Sequence, residues 1–220
     1  MLVHERMTRN PVTVTPETPV PDALRLMRDK KVRRFPVVDG QGRLTGIVSD
    51  RDLIHATPSP ATTLAVWEIP ELLAKIRVEH VMTRNVVTIA ADVPLEEAAR
   101  VMADNKIGGL PVMQGGTLVG IITETDLFKS FLEMLGGRRS GVRVAVSVQD
   151  AKGQLAKIAN AIAGAGGDIV GLGVRELPET VDGQWEMVFK VQDVSQEALV
   201  AALKPVVHAV LDVREIAHAS

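Results

Sequence analysis

The chain of 220 residues contains no cysteine and no tyrosine, and aromatic residues make up only 3% of it. Without cysteine it has no disulfides, thiolate metal ligands or cysteine nucleophile. No apolar run approaches the roughly 18 residues of a membrane-spanning helix, so we expect no membrane association. The first residues lack the features of a signal peptide, which favours a cytoplasmic location. Hydrophobic residues still form 46% of the chain, enough for an aliphatic core.

A strong charge of one sign is also missing, because the formal net charge is only −2. We therefore expect no general attraction to nucleic acid. The five histidines are scattered without a spacing suited to a metal, and we expect no metal site. No Ser/His/Asp order or carboxylate pair stands apart from the repeated motifs described next, which disfavours an enzyme.

The first 128 residues contain one pattern twice. Residues 7–38 recur at 82–113, and residues 44–54 recur at 118–128. Each copy predicts the order strand, helix, strand, strand, helix. Two copies of such a unit commonly pack around a pseudo-twofold axis, and the cleft between them can hold a ligand. The repeat therefore favours a sensor over an enzyme with one active site.

The remaining residues predict the order βαββαβ, which is a ferredoxin-like pattern. The whole chain is thus expected to have a mixed α/β (α+β) fold. The predicted organisation is repeat one at 1–55, a linker at 56–76 that is helical from Pro70, repeat two at 77–135, a linker at 136–141 and a last domain at 142–220. Within that domain the strand 169–174 alternates apolar residues with glycines. We expect its bare glycine face to be covered by a second copy in a homodimer.

The stretches Gly46–Asp52 and Gly120–Asp126 are the best candidates for chemistry. Each places a hydroxyl and a carboxylate three residues apart where a strand turns into a helix. A helix start offers unpaired N–H groups to a phosphate, and the hydroxyl can donate to it. The carboxylate can accept from both hydroxyls of a ribose, and the glycine lets a ligand approach the backbone. The same pattern is also a capping box, and its repetition fits both interpretations.

With the Met-Thr start and the Pro-Val hairpin of each copy, these motifs resemble a tandem pair of cystathionine-β-synthase (CBS) domains over residues 1–135. In that family the glycine-hydrophobic-x-Ser/Thr-x-x-Asp stretch binds adenine nucleotides or S-adenosylmethionine. The resemblance implies such a regulatory ligand and no covalent cofactor, with phosphate at Ser49 and Thr123 and ribose at Asp52 and Asp126. The implied nucleotide-binding residues are Thr13, Arg33, Arg34, Val37, Gly46, Ser49, Asp52, Thr88, Val112, Gly120, Thr123 and Asp126. Of these, the backbone around Thr13 and Thr88, together with Val37 and Val112, would flank the adenine.

The two copies differ in charge, since Gly108-Gly109 in the second copy replaces Arg33-Arg34 in the first. The arginines could bind a di- or triphosphate at the first site. They could equally be cations late in a helix that offset its dipole. Both interpretations stay open.

The last domain resembles an ACT domain in the stretches Asp150–Leu155 and Gly164–Ile169. In that family the glycine matching Gly153 lets an amino-acid ligand lie against the backbone at a dimer interface. The family often has proline and asparagine where this chain has Lys152 and Asp168. The implied ligand residues are Asp150, Gly153, Leu155 and Asp168. Alternatively, the glycine only shapes a turn and the domain only dimerises.

The order CBS, CBS, ACT resembles acetoin-utilisation regulatory proteins of the B type. We therefore expect a non-catalytic protein whose CBS pair senses an adenine nucleotide, while the ACT domain dimerises or senses an amino acid. Two alternatives are an amino-acid sensor in which the CBS pair is a scaffold, and an enzyme that hydrolyses the bound nucleotide.

Overall fold

The computed structural model describes residues 1–56, 75–177 and 183–217. The chain groups into two compact units, Met1–Leu127 and Phe128–Ser220, and each is described by itself. Most of the predicted linker at 56–76, including the start of its helix at Pro70, lies outside the described residues. None of the described helices is long and apolar enough to cross a membrane.

Both copies of the repeat form the helix, strand, strand and helix that the sequence predicts. Two short elements, α1 (Val3–Arg6) and β1 (Thr8–Arg9), come before them and are not predicted. The first copy contains α2 (Val20–Lys30), β2 (Arg34–Val38), β3 (Leu44–Ser49) and α3 (Asp50–His55). The second contains β4 (Ile89–Ala90), α4 (Leu95–Asn105), β5 (Gly109–Gln114), β6 (Thr117–Thr123) and α5 (Glu124–Met134). The predicted first strand of copy one is reduced to a single bridge between Val14 and Val37.

Helices α2 and α4 begin and end at the same local signals. Pro19 and Pro94 precede their first residues, because the fixed φ of proline suits the entry to a helix. Each helix ends at a lysine with left-handed backbone, Lys31 at φ 54° and Lys106 at φ 55°. Their buried faces carry Ala23 and Met27 in α2 and Ala98 and Met102 in α4, each pair four residues apart.

The first segment of each copy pairs with the other copy. Thr8 lies opposite Ile121 of the second copy, and Thr83 lies opposite Ile47 of the first. The second of these pairs exchanges two backbone hydrogen bonds of 2.9 and 3.0 Å. Since the two exchanges are reciprocal, the copies are related by the predicted pseudo-twofold axis, and each completes its sheet with chain from the other.

Gly46 and Gly120 lie beneath these exchanged segments. A Cβ atom on Gly46 would lie 2.5 Å from the sulfur of Met82 and 3.2 Å from the carbonyl oxygen of Thr83. A Cβ atom on Gly120 would collide in the same way with Met7. The prediction that these glycines admit a ligand to the backbone is therefore wrong, because the space is filled by a methionine of the other copy.

The second unit has the predicted order βαββαβ. Its elements are β7 (Gly141–Gln149), α6 (Gln154–Gly164), β8 (Asp168–Glu176), β9 (Gln184–Gln192), α7 (Gln196–Leu203) and β10 (Ala209–Ile216). The strands form one sheet in the order β10-β7-β9-β8, with all neighbours antiparallel. This is the ferredoxin-like arrangement. Its core contains Ile158 and Ile162 of α6, Phe189 of β9 and Leu199 of α7, all completely buried.

The predicted linker at 136–141 begins as the end of helix α5. Gly136 has a φ of +61°, and the N–H of Gly137 donates to the carbonyl of Leu132 at 2.7 Å. This is the Schellman ending of a helix, for which glycine is the preferred residue. The helix therefore stops at a defined point just before the second sheet begins.

The glycine face of β8 is covered by this same chain. A Cβ atom on Gly171 would collide with the carbonyl of Leu135 and lie 2.8 Å from the backbone nitrogen of Gly136. On Gly173 it would lie 3.4 Å from the Leu135 side chain. The sequence predicted a bare face that a second copy covers, and the structure corrects this, because close packing of Leu135 and Gly136 explains the glycines.

Candidate functional site

A cleft of about 750 Å³ opens between the two repeats of the first unit, a size typical of small-molecule sites. Repeat one contributes the end of β3 and the start of α3, and repeat two contributes residues 85–87 and 106–109. Four of the twelve predicted nucleotide-binding residues line this cleft, namely Arg33, Arg34, Ser49 and Asp52. The fold therefore brings the first motif together with the second repeat.

Ser49 and Asp52 form a capping box at the start of α3. The carboxylate oxygen Oδ2 of Asp52 accepts from the backbone N–H of Ser49 at 2.8 Å and from its hydroxyl at 2.7 Å. In return, the N–H of Asp52 donates to the Ser49 hydroxyl oxygen at 3.3 Å. The capping interpretation of the motif is thus confirmed. A carboxylate has about four acceptor positions, so this arrangement leaves Asp52 the capacity for a further donor.

The start of α3 does not offer the unpaired N–H groups that the sequence predicted for a phosphate. The N–H of Asp50 donates to the carbonyl of Arg33 at 3.0 Å, and the N–H of Arg51 to the Asp50 carboxylate at 2.9 Å. The N–H groups of Ser49 and Asp52 are used within the capping box. That prediction is corrected: an anion in this cleft would have to be bound mainly by side chains.

The second motif repeats the geometry but not the position. The Asp126 carboxylate accepts from the N–H of Thr123 at 2.9 Å and from its hydroxyl at 2.7 Å. The N–H of Glu124 donates to the carbonyl of Gly108 at 3.2 Å, which matches the bond between Asp50 and Arg33 in the first copy. Glu124 lines the cleft, whereas Thr123 and Asp126 do not.

Two of the predicted adenine-flanking residues belong to the core instead. Val37 and Val112 are completely buried, since each points into the interior of its own repeat from a central strand. Their side chains therefore cannot contact an adenine, and that prediction is wrong. Thr13 and Thr88 do not line the cleft, although Val87, the neighbour of Thr88, does.

The arginine pair lies outside the helix that precedes it. Helix α2 ends at Lys30 and strand β2 begins at Arg34, so these arginines do not sit in the last turn, where they would offset the helix dipole. Arg34 crosses to the second repeat, where a Cβ atom on Gly108 would collide with its guanidinium and one on Gly109 would lie 3.2 Å from its Cδ. The glycine pair of copy two thus accommodates an arginine of copy one.

Sequence reasoning missed two further cations of the cleft, Arg51 and Lys106. Arg51 lies inside the first motif, and that position was a signal that it would be near the ligand. Lys106 has no comparable signal, because its place in the cleft depends on how the second repeat approaches the first.

The predicted ligand residues of the second unit do not meet within one chain. Asp150 and Gly153 follow the last residue of β7, beside the first residue of β9. Asp168 pairs with Gln192 at the last residue of β9, roughly 25 Å away along the strand. A single site made of Asp150, Gly153, Leu155 and Asp168 is therefore excluded within one chain. Gly153 itself has a φ of +83° and open space around it, and Leu155 is exposed.

The reciprocal repeats and the cleft between them define a tandem CBS module. The CBS domain family matches residues 3–59 and 78–133. The chain therefore belongs to the CBS domain family.

Several curated proteins resemble this part of the chain. A CBS domain-containing protein of Dictyostelium discoideum is 36% identical over 136 residues, which cover 61% of this chain and 94% of that protein. The chloroplastic protein CBSX2 of Arabidopsis thaliana is 32% identical over 139 residues, covering 55% and 58%. Inosine-5'-monophosphate dehydrogenase of Aquifex aeolicus is 34% identical over 124 residues, covering 56% of this chain but only 23% of the enzyme. The resemblance thus concerns a minor part of that enzyme.

Solved structures give the same result. A provisionally assigned acetoin utilization protein (AcuB) from Vibrio cholerae has a TM-score of 0.50 and 35% identity, covering 59% of this chain and 89% of its own. CBSX2 in complex with AMP has a TM-score of 0.52 and 33% identity, covering 60% and 97%. The CBS domain pair of protein MJ0100, in complex with 5'-methylthioadenosine and S-adenosylmethionine, has a TM-score of 0.51 and 27% identity, covering 63% and 98%.

Proposed function

We propose that this protein is a non-catalytic sensor that binds an adenine nucleotide or S-adenosylmethionine in its CBS pair. The observation that carries this proposal is the cleft in which Ser49 and Asp52 of one repeat face residues 85–87 and 106–109 of the other. Two structures similar to this chain, those with AMP and with S-adenosylmethionine, contain adenine compounds. Their ligands support the chemical class proposed here.

Asp52 has the chemistry needed for the ribose. Both bonds that it accepts in the capping box go to its Oδ2 atom, and a carboxylate can accept further hydrogen bonds from two vicinal hydroxyls. The cap and the ribose contact are therefore compatible, and the cap would hold the carboxylate in one orientation before the ligand arrives. Val86, Val87 and Ile107 give the cleft an apolar part against which an adenine ring could pack.

A ligand in this cleft would contact both repeats at once. It would favour one relative arrangement of the repeats by no more than its difference in affinity for the alternatives. We propose that this shift is the signal, and that residues 142–220 act as an ACT-type domain that receives it, forms a homodimer or binds a second metabolite.

An amino-acid sensor in the second unit is the alternative function. The observation in its favour is Gly153, whose left-handed backbone opens helix α6 with no heavy atom within 4 Å of a Cβ position. Because Asp168 lies at the other end of the sheet, this site would need two chains that pair side by side in opposite directions. Sedimentation of the full chain at micromolar concentration tests the homodimer, and a stable monomer would exclude such a site.

Thermal unfolding with a panel of ligands tests the proposal. A ligand present at one hundred times its Kd adds about 2.7 kcal/mol of stability, which raises the Tm of a chain of this size by roughly 5–10 °C. We expect that shift with at least one of AMP, ADP, ATP and S-adenosylmethionine, and not with amino acids. An unchanged Tm with all four adenine compounds at millimolar concentration contradicts the proposal, and a shift with an amino acid alone favours the alternative.

A matched pair of variants locates the site. Asp52→Asn keeps a capping side chain but loses the charge that strengthens the ribose contact. Asp22→Asn removes a carboxylate whose ion pair, within the part of the chain that the structure describes, is with Arg25 on the exposed side of helix α2. We expect the first variant alone to weaken ligand binding.

A further inference from the structure

Four cationic side chains line the cleft between the repeats, Arg33, Arg34, Arg51 and Lys106. Among the described residues, none of the four side chains makes a hydrogen bond or an ion pair with another group of the protein. Three exposed arginines elsewhere in the first unit do pair with a neighbouring carboxylate. These are Arg25 with Asp22 at 2.9 Å, Arg43 with Asp39 at 2.7 Å and Arg100 with Glu97 and Asp104 at 2.5 and 2.8 Å.

None of the three acids of the cleft forms an ion pair with these cations, although four cations against three carboxylates leave the lining only slightly positive. Asp52 accepts from Ser49, and Asp50 accepts from the backbone N–H of Arg51. The third, Glu124, lies near Gly108 together with the Arg34 guanidinium, but the two form no ion pair. The cleft therefore keeps four cationic groups whose donors are available to a ligand.

The position of Arg34 is built into the sequence difference between the copies. A side chain on Gly108 would displace its guanidinium, so glycine at the place where the first copy has Arg33 leaves room for Arg34. Gly108 and Gly109 thus leave space for Arg34 to lie over the second repeat. Three of the four cations of the cleft belong to the first copy, and Lys106 belongs to the second.

The phosphate chain of a ligand is the group that these cations suit. The N–H groups that start α3 are already bonded, so binding of an anion depends on the side chains. A terminal phosphate carries about −1.5 to −2 charges at neutral pH, and each further phosphate adds acceptor oxygens for arginine. S-adenosylmethionine has no phosphate, and its sulfonium and ammonium groups outweigh its single carboxylate, so these side chains would repel it.

We infer that this cleft selects adenine nucleotides by their number of phosphates, binding ATP and ADP in preference to AMP and S-adenosylmethionine. Arg33, Arg34, Arg51 and Lys106 are the specificity-determining residues. This inference rests on the proposed function and adds to it which ligand the sensor measures.

Calorimetric titration of the full chain with ATP, ADP, AMP, S-adenosylmethionine and inorganic triphosphate tests the inference. We expect each added phosphate to tighten binding roughly tenfold, as charge-assisted hydrogen bonds do. The variant Arg33→Gln/Arg34→Gln should weaken ATP binding at least tenfold and AMP binding much less. Lys106→Asn should act in the same direction, and asparagine tolerates the left-handed backbone of that position.

Arg28→Gln is the matched control, because Arg28 is an exposed arginine of the same repeat that does not line the cleft. We expect its affinities to stay within twofold of the original protein, and circular dichroism verifies that every variant is folded. Binding of AMP as tight as that of ATP would overturn the inference and leave the proposed function standing. An unchanged ratio of ATP to AMP affinity in the arginine variant would also overturn it.

The remaining outcomes separate the inference from the proposed function. Binding of inorganic triphosphate as tightly as ATP would support the cationic cleft but refute recognition of adenine. Absence of binding by all four adenine compounds and by triphosphate would overturn both proposals together.

Discussion

Substituting Gly46 by alanine would place a methyl group against the methionine that the second repeat inserts into the first. Its Cβ atom would lie 2.5 Å from the Met82 sulfur, 3.1 Å from its Cγ and 3.2 Å from the Thr83 carbonyl oxygen. Overpacking of this kind costs about 1–3 kcal/mol of stability. Met82→Ala removes a side chain that is only 8% exposed and should cost about 2–5 kcal/mol.

The two substitutions combined should cost less than their sum. Shortening Met82 opens the space that the new methyl group needs, so we expect a coupling energy of about 1–2 kcal/mol. Some cost remains, because the Thr83 carbonyl does not move away with the side chain. Gly40→Ala is the control, since nothing lies within 4 Å of its Cβ position, and it should stay within about 0.5 kcal/mol of the original protein.

Equilibrium unfolding in urea, followed by circular dichroism with the transition of each unit fitted separately, measures these energies. The pair Gly120 and Met7 should give the same coupling, because it repeats the contact from the other side of the pseudo-twofold axis. If the single costs add to within about 0.3 kcal/mol in both pairs, the repeats are not joined through these contacts and the reasoning fails.

Three further predictions concern the cleft and the second unit. Ser49→Ala removes a hydroxyl from the capping box and should lower the free energy of unfolding by about 1 kcal/mol; an unchanged urea midpoint would show that the box does not stabilise α3. Burial and the neighbouring Arg143 lower the pKa of Lys190, so the charged ammonium group destabilises the folded state. Lys190→Met removes this charge and should raise the Tm at pH 7. The increase in Tm should shrink as the pH rises past the lowered pKa, because Lys190 of the original protein then loses its proton in the folded state. Gly171→Ala should displace Leu135 and increase proteolysis at 136–141, whereas Gly164→Ala, with open space around it, should not.

Local patterns were sufficient for most elements of the fold. The second unit has the predicted order βαββαβ, with its helices over Gln154–Gly164 and Gln196–Leu203. Alternation and helical periodicity act over a few residues, so the sequence expresses them directly. The repeat strengthened the prediction for the first unit, because both copies had to fit the same order of strands and helices.

Local patterns could not predict that the first segment of each copy pairs with the other copy. Thr8 and Arg9 have no periodicity of their own, and their pairing with Ile121 and Gly120 depends on how the two copies approach each other. Met7 and Met82 recur directly before these segments, and Met82 is buried. What the methionines pack against was visible only in the structure.

The sequence predicted the Ser49 and Asp52 motif of the candidate site but not the residues that surround it. Ser49 and Asp52 do lie in a cleft between the copies, as the repeat indicated. Val37 was wrongly assigned to the ligand because a core residue of a central strand and an adenine-flanking residue share the same apolar character. Lys106 was missed because residues distant in sequence decide which charges meet in the cleft.

The packing of Leu135 on β8 decides where a fragment of the second unit must begin if its sheet is to stay covered. A fragment that starts at residue 128 keeps its own cover for Gly171 and Gly173. A fragment that starts at residue 141 leaves the glycine backbone of a sheet-edge strand open to solvent, and such a surface readily joins another copy. Self-association of the shorter fragment would then report the loss of residues 128–140 before the sheet, and only the longer one would reveal how the second unit assembles in the whole protein.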